Sequence, residues 1–171
     1  MKGRIHLYTG NGKGKTTAAL GLSLRAAGAG KNVFFAQFIK GKKYSEITAI
    51  EKFFSAITVK QYGLDCFIIN EPTPADIDAA RKGLKEVAHI IASGKYGIVV
   101  LDEICIAVFY KLISLQKLID VLNTRAQSVE IVLTGRYAPS ELIELSDLVT
   151  EMQEVKHYYH KGEKAREGIE F

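Results

Sequence analysis

The sequence predicts an α/β fold: a mostly parallel central sheet of about six strands, covered by helices. Short apolar runs alternate with longer stretches of helical pattern, which is how a parallel sheet with crossover helices is written in a sequence. Ile98-Val99-Val100-Leu101 is apolar without alternation, as a strand covered on both faces must be, and it belongs in the sheet centre. A glycine-rich turn joins the first strand directly to the first helix.

In chain order, strands are expected at Arg4–Tyr8, Asn32–Phe38, Ile57–Gln61, Ile98–Leu101, Glu130–Leu133 and Leu148–Met152. Between them the pattern predicts helices at Lys15–Ala27, Ser45–Phe54, Pro74–Ala92, Leu115–Thr124 and Ser140–Leu145. The first helix is alanine- and leucine-rich, and Gly28-Ala29-Gly30 closes it as a C-cap would. Gly63–Thr73 and the charged tail Lys156–Phe171 are the least regular stretches, suited to ligand-facing loops or to ordinary surface connections.

With 171 residues the chain suits one domain, residues 1–171, with a proper core. Hydrophobic residues at 47%, charged residues at 25% and only three prolines exclude disorder and fibrous repeats. No apolar stretch approaches the roughly 20 residues that span a bilayer, and MKGRIHLYTG lacks a secretory apolar segment, so a cytoplasmic protein without membrane partners is expected. The formal charge of +4 favours anionic ligands only mildly. Neither Lys40-Gly41-Lys42-Lys43 nor the looser Lys156–Arg166 set carries a recognisable nucleic-acid reading motif, and no nucleic-acid partner is expected. Cys66 and Cys105 read as plain core thiols.

Thr9-Gly10-Asn11-Gly12-Lys13-Gly14-Lys15-Thr16-Thr17 follows the first strand and opens the first helix, the setting of a phosphate-binding loop. Its glycines let consecutive N–H groups turn toward phosphate oxygens, and the helix N-terminus adds a favourable field. Lys15 then reaches the phosphates and Thr16 offers its hydroxyl to a magnesium ion. The usual G-x-x-x-x-G-K-[ST] pattern is altered: Thr9 stands at the first glycine position, with Gly10 and Gly12 inside the loop. Asp102-Glu103 end the central strand at the carboxyl edge, where open α/β sheets bind ligands, and either acid suits the cation directly or through water. These residues alone leave ATPases, kinases and group transferases open.

Gly10–Ala19, Gln37-Phe38-Ile39-Lys40-Gly41, Leu101-Asp102-Glu103, Leu133–Pro139 and Asp147–Met152 together closely resemble the P-loop ATP:corrinoid adenosyltransferases, and Lys156-His157, Gly162, Ala165 and Gly168-Ile169-Glu170-Phe171 resemble that family's C-terminal signature. The resemblance implies a P-loop NTPase-like (RecA-like) three-layer sandwich. It implies transfer of the 5′-deoxyadenosyl group of ATP to cobalt(I) of a reduced corrinoid, with triphosphate leaving, in adenosylcobalamin biosynthesis or salvage. The alternative is a P-loop ATPase or small-molecule kinase that cleaves the terminal phosphate. Cobalt is itself the nucleophile, so the protein's part is positioning and charge stabilisation. The nucleotide is expected to lie reversed relative to ordinary P-loop enzymes, with the terminal phosphate deep in the loop.

Carried over residue by residue, phosphate binding falls to Gly10, Asn11, Gly12, Lys13, Gly14, Lys15, Thr16 and Thr17, and magnesium (or manganese) to Thr16 with Glu103, assisted by Asp102. Lys15 and Glu103 are the catalytic candidates. Arg25, Gln37, Lys40 and Arg136 are candidates for the nucleotide cleft. Relatives set aromatic residues of a Gly-Phe-x-Trp run against the lower face of the corrinoid. This chain has no tryptophan, and Tyr62, Gly63 and Phe67 are the nearest candidates. Many relatives carry an N-terminal extension that closes over the site, whereas this sequence begins almost at its first strand. A homodimer and a flavoprotein or flavodoxin-type reductant are implied as partners. His6 reads as a satisfied core residue and His89 as a helix residue. His157 and His160 read as tail residues and not as a metal site; Tyr158 and Tyr159 suit either a flat macrocycle or packing on the sheet.

Overall fold

The structure is a computed structural model describing residues 2–64 and 71–171. Its elements run β1 (Ile5–Thr9), α1 (Lys15–Gly28), β2 (Val33–Phe38), α2 (Ser45–Phe53), β3 (Ile57–Tyr62), α3 (Pro74–Ser93), β4 (Ile98–Asp102), α4 (Ile104–Phe109), α5 (Leu115–Asn123), β5 (Glu130–Thr134), α6 (Ser140–Leu145) and β6 (Leu148–Glu151). A 3₁₀ turn follows at Tyr158–Lys161. The strands form one sheet in the order β3-β2-β4-β5-β1-β6, and every pairing is parallel.

Side-chain alternation along the strands builds two apolar layers. Ile5, Leu7, Phe34, Ala36, Phe38, Val99, Leu101, Ile131 and Leu133 face one side, where α3, α4 and α5 cover them. Val33, Phe35, Ile98, Val100 and Val132 face the other, against Ala19 and Ala26 of α1 and Ile50 of α2. The result is the expected three-layer sandwich, and β2 and β4 are buried along their whole length.

The same alternation positions the site. Gln37 pairs with Asp102 across β2 and β4, and Leu101 pairs with Leu133 across β4 and β5. The next residues outward, Gln37, Asp102 and Thr134, therefore form a polar row at the carboxyl edge on the α1 side. All three are fully buried, so each must find a partner within the protein.

The expected helix end at Gly28-Ala29-Gly30 is a Schellman turn: the Lys31 N–H bonds the Ala26 carbonyl at 3.0 Å and the Gly30 N–H bonds that of Ala27 at 2.9 Å. Helix α4 goes beyond the sequence reading. Its six residues ICIAVF are almost wholly apolar and carry no helical period, and a single residue separates them from β4. His6 is partly buried, with Nε2 2.7 Å from Glu130 Oε1. Cys105 is buried and free, whereas Cys66 lies outside the described residues. Among the described residues, no helix is long and apolar enough to cross a membrane.

Candidate active site

The loop from β1 to α1 rests on the chain that leaves β6. The Met152 N–H bonds the Thr9 carbonyl at 2.8 Å, and the Gly12 N–H bonds the Met152 carbonyl at 2.7 Å. Gly10 sits at φ +95°, and a Cβ there would lie 2.4 Å from the Met152 carbonyl oxygen, so the turn requires glycine. Gly14, at φ +116°, is the N-cap of α1 and offers no side chain to its first amides. Those N–H groups are left for an anion.

Lys15 is buried, and its Nζ donates to the carbonyls of Gly10 and Gly12, both at 2.7 Å. Burial lowers its pKa, and the nearby Arg136 guanidinium adds to the shift. Arg136 follows β5 and donates from its guanidinium to the Asn11 carbonyl at 3.2 Å.

Asp102 is the hub beneath the loop. Its Oδ1 accepts from the hydroxyls of Thr16 at 2.9 Å and Thr134 at 2.7 Å, and its Oδ2 accepts from Gln37 Nε2 at 3.1 Å. Gln61 Nε2 in turn donates to Gln37 Oε1 at 2.8 Å. The Thr134 hydroxyl also accepts the Glu103 N–H at 2.9 Å, fixing a residue held in the left-handed region at φ 58°.

The Glu103 carboxyl faces the cleft. Lys40 Nζ stands 3.6 Å from it and 3.8 Å from Asp102 Oδ2. Burial raises the Glu103 pKa, with the Asp102 charge second, against the pull of Lys40, Lys15 and Arg136. Burial acts to lower the pKa of Lys40, but Asp102 and Glu103 outweigh it and hold the ammonium above its ordinary value.

A cavity of about 1060 Å³ opens in front of these groups, at the upper end of ligand-pocket sizes, roughly 300–1,000 Å³. The loop, Lys40, Glu103 and Arg136 form its floor; Tyr44 and Ala49 belong to one bank, and the tail segment around Gly168–Phe171 also lines it. Among the described residues no group of three His, Cys, Asp or Glu is gathered as a metal cage. Two protein oxygens, from Thr16 and Glu103, suit a magnesium ion that takes its remaining ligands from phosphate and water.

Residues 1–171 match the family described as ATP:corrinoid adenosyltransferase BtuR/CobO/CobP. The chain belongs to the ATP:corrinoid adenosyltransferase family. It is 35% identical over 171 residues to the corrinoid adenosyltransferase of Escherichia coli strain K12, covering 99% of this chain and 86% of that protein. Identity to corrinoid adenosyltransferase CobA of Salmonella typhimurium strain LT2 is 36%, with the same coverage of both chains. Identity to the Pseudomonas aeruginosa corrinoid adenosyltransferase is 34%, over 99% of this chain and 84% of the relative. The protein is thus a transferase with ATP and a corrinoid as substrates, acting in cobalamin biosynthesis, and the ATPase and kinase alternative gives way.

In this adenosyltransferase the loop residues Gly10–Thr17, Lys40, Asp102, Glu103 and Arg136 come together at the carboxyl edge. Gln37 lies beneath them as a partner of Asp102 and outside the cavity lining. Arg25 is exposed on α1, outside that lining and close enough to Tyr8 to act on its hydroxyl. Tyr62 packs on Phe38 at 5.4 Å between ring centroids and against Gly83 of α3, on the face away from α1. Phe67 lies outside the described residues. Thr134 was not among the sequence-predicted site residues. The signal for it is the strand alternation that aligns it with Gln37 and Asp102.

Proposed function

We propose that the adenosyltransferase holds the triphosphate of ATP on the amides of Gly10–Thr17 and a divalent cation on Thr16 and Glu103, with Asp102 acting from behind. The observation that carries this reading is the division of labour between the two acids. Asp102 is fully buried and already accepts three hydrogen bonds, one of them from Thr16, whereas Glu103 presents its carboxyl to the cleft. When bound, a magnesium or manganese ion would neutralise charge on the triphosphate.

The protein's own groups supply the rest. Lys15, now resting on two loop carbonyls, turns its ammonium to the phosphates, and Arg136 adds a second positive charge. As the cobalt(I) of the corrinoid attacks the 5′ carbon, its electron pair forms the cobalt–carbon bond. The carbon–oxygen bond breaks with its pair leaving on triphosphate. No protein base is required, and the loop amides, Lys15 and Arg136 stabilise the charge that grows on the leaving group.

Tyr62 and Phe67 are our candidates for the lower face of the corrinoid, and Arg25 for a phosphate or ribose contact. Residues 1–171 act as one domain, as a cytoplasmic homodimer supplied with electrons by a flavoprotein or flavodoxin-type reductant. The homodimer and the reductant rest on the family resemblance, and the single domain and the cytoplasm on the length and apolar pattern of the sequence.

Manganese(II) bound with ATP and followed by electron paramagnetic resonance tests the cation site. E103Q should weaken Mn·ATP binding by about 10–100-fold while metal-free ATP binds as in wild type. Equal Mn·ATP affinity in E103Q and wild type would remove Glu103 from the site.

A further inference from the structure

The chain after β6 returns across the nucleotide cleft and is fastened on both banks. On the loop bank, Lys13 Nζ donates to the Tyr158 hydroxyl at 3.1 Å, the Ile169 carbonyl at 2.9 Å and Glu170 Oε1 at 2.6 Å. Its three N–H donors thus all have acceptors on the tail. Glu170 collects donors in turn: Oε1 also accepts the Tyr158 hydroxyl, and Oε2 accepts the Arg166 backbone N–H at 2.8 Å and its Nε at 3.3 Å. On the far bank, Ser45 Oγ at the start of α2 donates to the Phe171 carbonyl at 3.2 Å, and the Phe171 ring lies 6.0 Å from that of Tyr44. A tight turn holds the segment's shape, with the Gly168 N–H on the Phe171 carbonyl at 2.7 Å and the Glu170 N–H on that of Arg166 at 2.9 Å.

We propose that residues 158–171 form a strap over bound ATP, fastened to the phosphate loop by Lys13 and Glu170, and that Glu170 is a positioning residue for the nucleotide. The proposal rests on the reading that the triphosphate lies on the loop. It divides Lys13 in two: its backbone belongs to the phosphate-binding loop, and its side chain holds the strap. One exposed ion pair would be a weak fastening, but here one carboxylate gathers an ammonium, a phenol and two N–H groups of Arg166, and such a network holds better than its separate pairs. Fastened to the loop through Lys13, the strap acts in this reading at the phosphate end of the cleft. Releasing it speeds nucleotide loss and leaves the chemistry of bound ATP as it was.

The test compares wild type, E170Q and Y158F by calorimetric ATP binding, by steady-state adenosyl transfer to chemically reduced cobalamin, and by tryptic cleavage within the strap. E170Q should raise the dissociation constant and the KM for ATP by about fivefold, with kcat at saturating ATP within about twofold of wild type. Cleavage at Lys161, Lys164 and Arg166 should quicken in E170Q, and ATP should slow it in wild type. E170D should recover part of the affinity, and Y158F should shift KM in the same direction by less. Should E170Q fail to fold, Y158F alone carries the test. Unchanged ATP affinity and cleavage in the folded variants would overturn the strap, as would a loss confined to kcat. A wild-type protein that fails to bind ATP would instead refute the underlying site assignment.

Discussion

Replacing Gly10 with alanine strikes the contact that seats the phosphate loop on the sheet. The new Cβ would lie 2.4 Å from the Met152 carbonyl oxygen and 2.9 Å from Glu151 Cγ, at a backbone φ of +95°. The same Met152 carbonyl accepts the Gly12 N–H at 2.7 Å, so moving it away from the Cβ loosens a second loop residue. A non-glycine residue in this conformation costs about 1–3 kcal/mol, and overpacking against backbone costs about as much again. Partial relaxation makes the two less than additive, and a net loss of about 3 kcal/mol is expected. For a chain of this size that corresponds to a fall in Tm of roughly 6–12 °C, read by circular dichroism, with ATP binding lost alongside it. Gly21 is the control: it lies in α1 with nothing within 4 Å of a Cβ, so G21A should stabilise the protein by about 0.5–1 kcal/mol. A G10A protein that melts within about 2 °C of wild type and binds ATP normally would refute the steric reasoning.

Two predictions concern pH. Burial raises the Glu103 pKa, so its carboxyl stays protonated to higher pH than a free glutamate; kcat/KM for Mg·ATP should fall on acidification while still above 4.5, and E103Q should lack that limb. Burial lowers the Lys15 pKa, so the alkaline limb should begin below 10.5 as the ammonium loses its proton. In K15R, whose guanidinium stays charged, that limb should disappear from whatever activity remains.

The sheet was legible because β2 and β4 are buried on both faces and composed almost wholly of apolar residues. The turn from β1 into α1 was legible because its glycines, Lys15 and Thr16 occur at a spacing set by backbone chemistry, and its proposed role in phosphate binding follows from the same pattern. Helix α4 left no trace in the pattern: a short helix buried on most sides has no polar stripe to mark its period. Thr134 was hidden differently, since its role depends on which strands are neighbours, and strand order is a tertiary fact. Once β4 lies between β2 and β5, alternation alone brings Gln37, Asp102 and Thr134 into line. Lys13 was assigned to phosphate by its place in the loop, and its ammonium is on the tail because Tyr158, Ile169 and Glu170, far along the chain, return to meet it. The C-terminal motif was visible as a signature, but its contact with the loop could not be read from local sequence.

The most direct test is to identify what leaves ATP. Wild-type protein, Mg·ATP and chemically reduced cobalamin should give inorganic triphosphate by phosphorus NMR, in step with the absorption spectrum of a cobalt–carbon bond. Production of ADP and phosphate with the cobalamin spectrum unchanged would contradict the account.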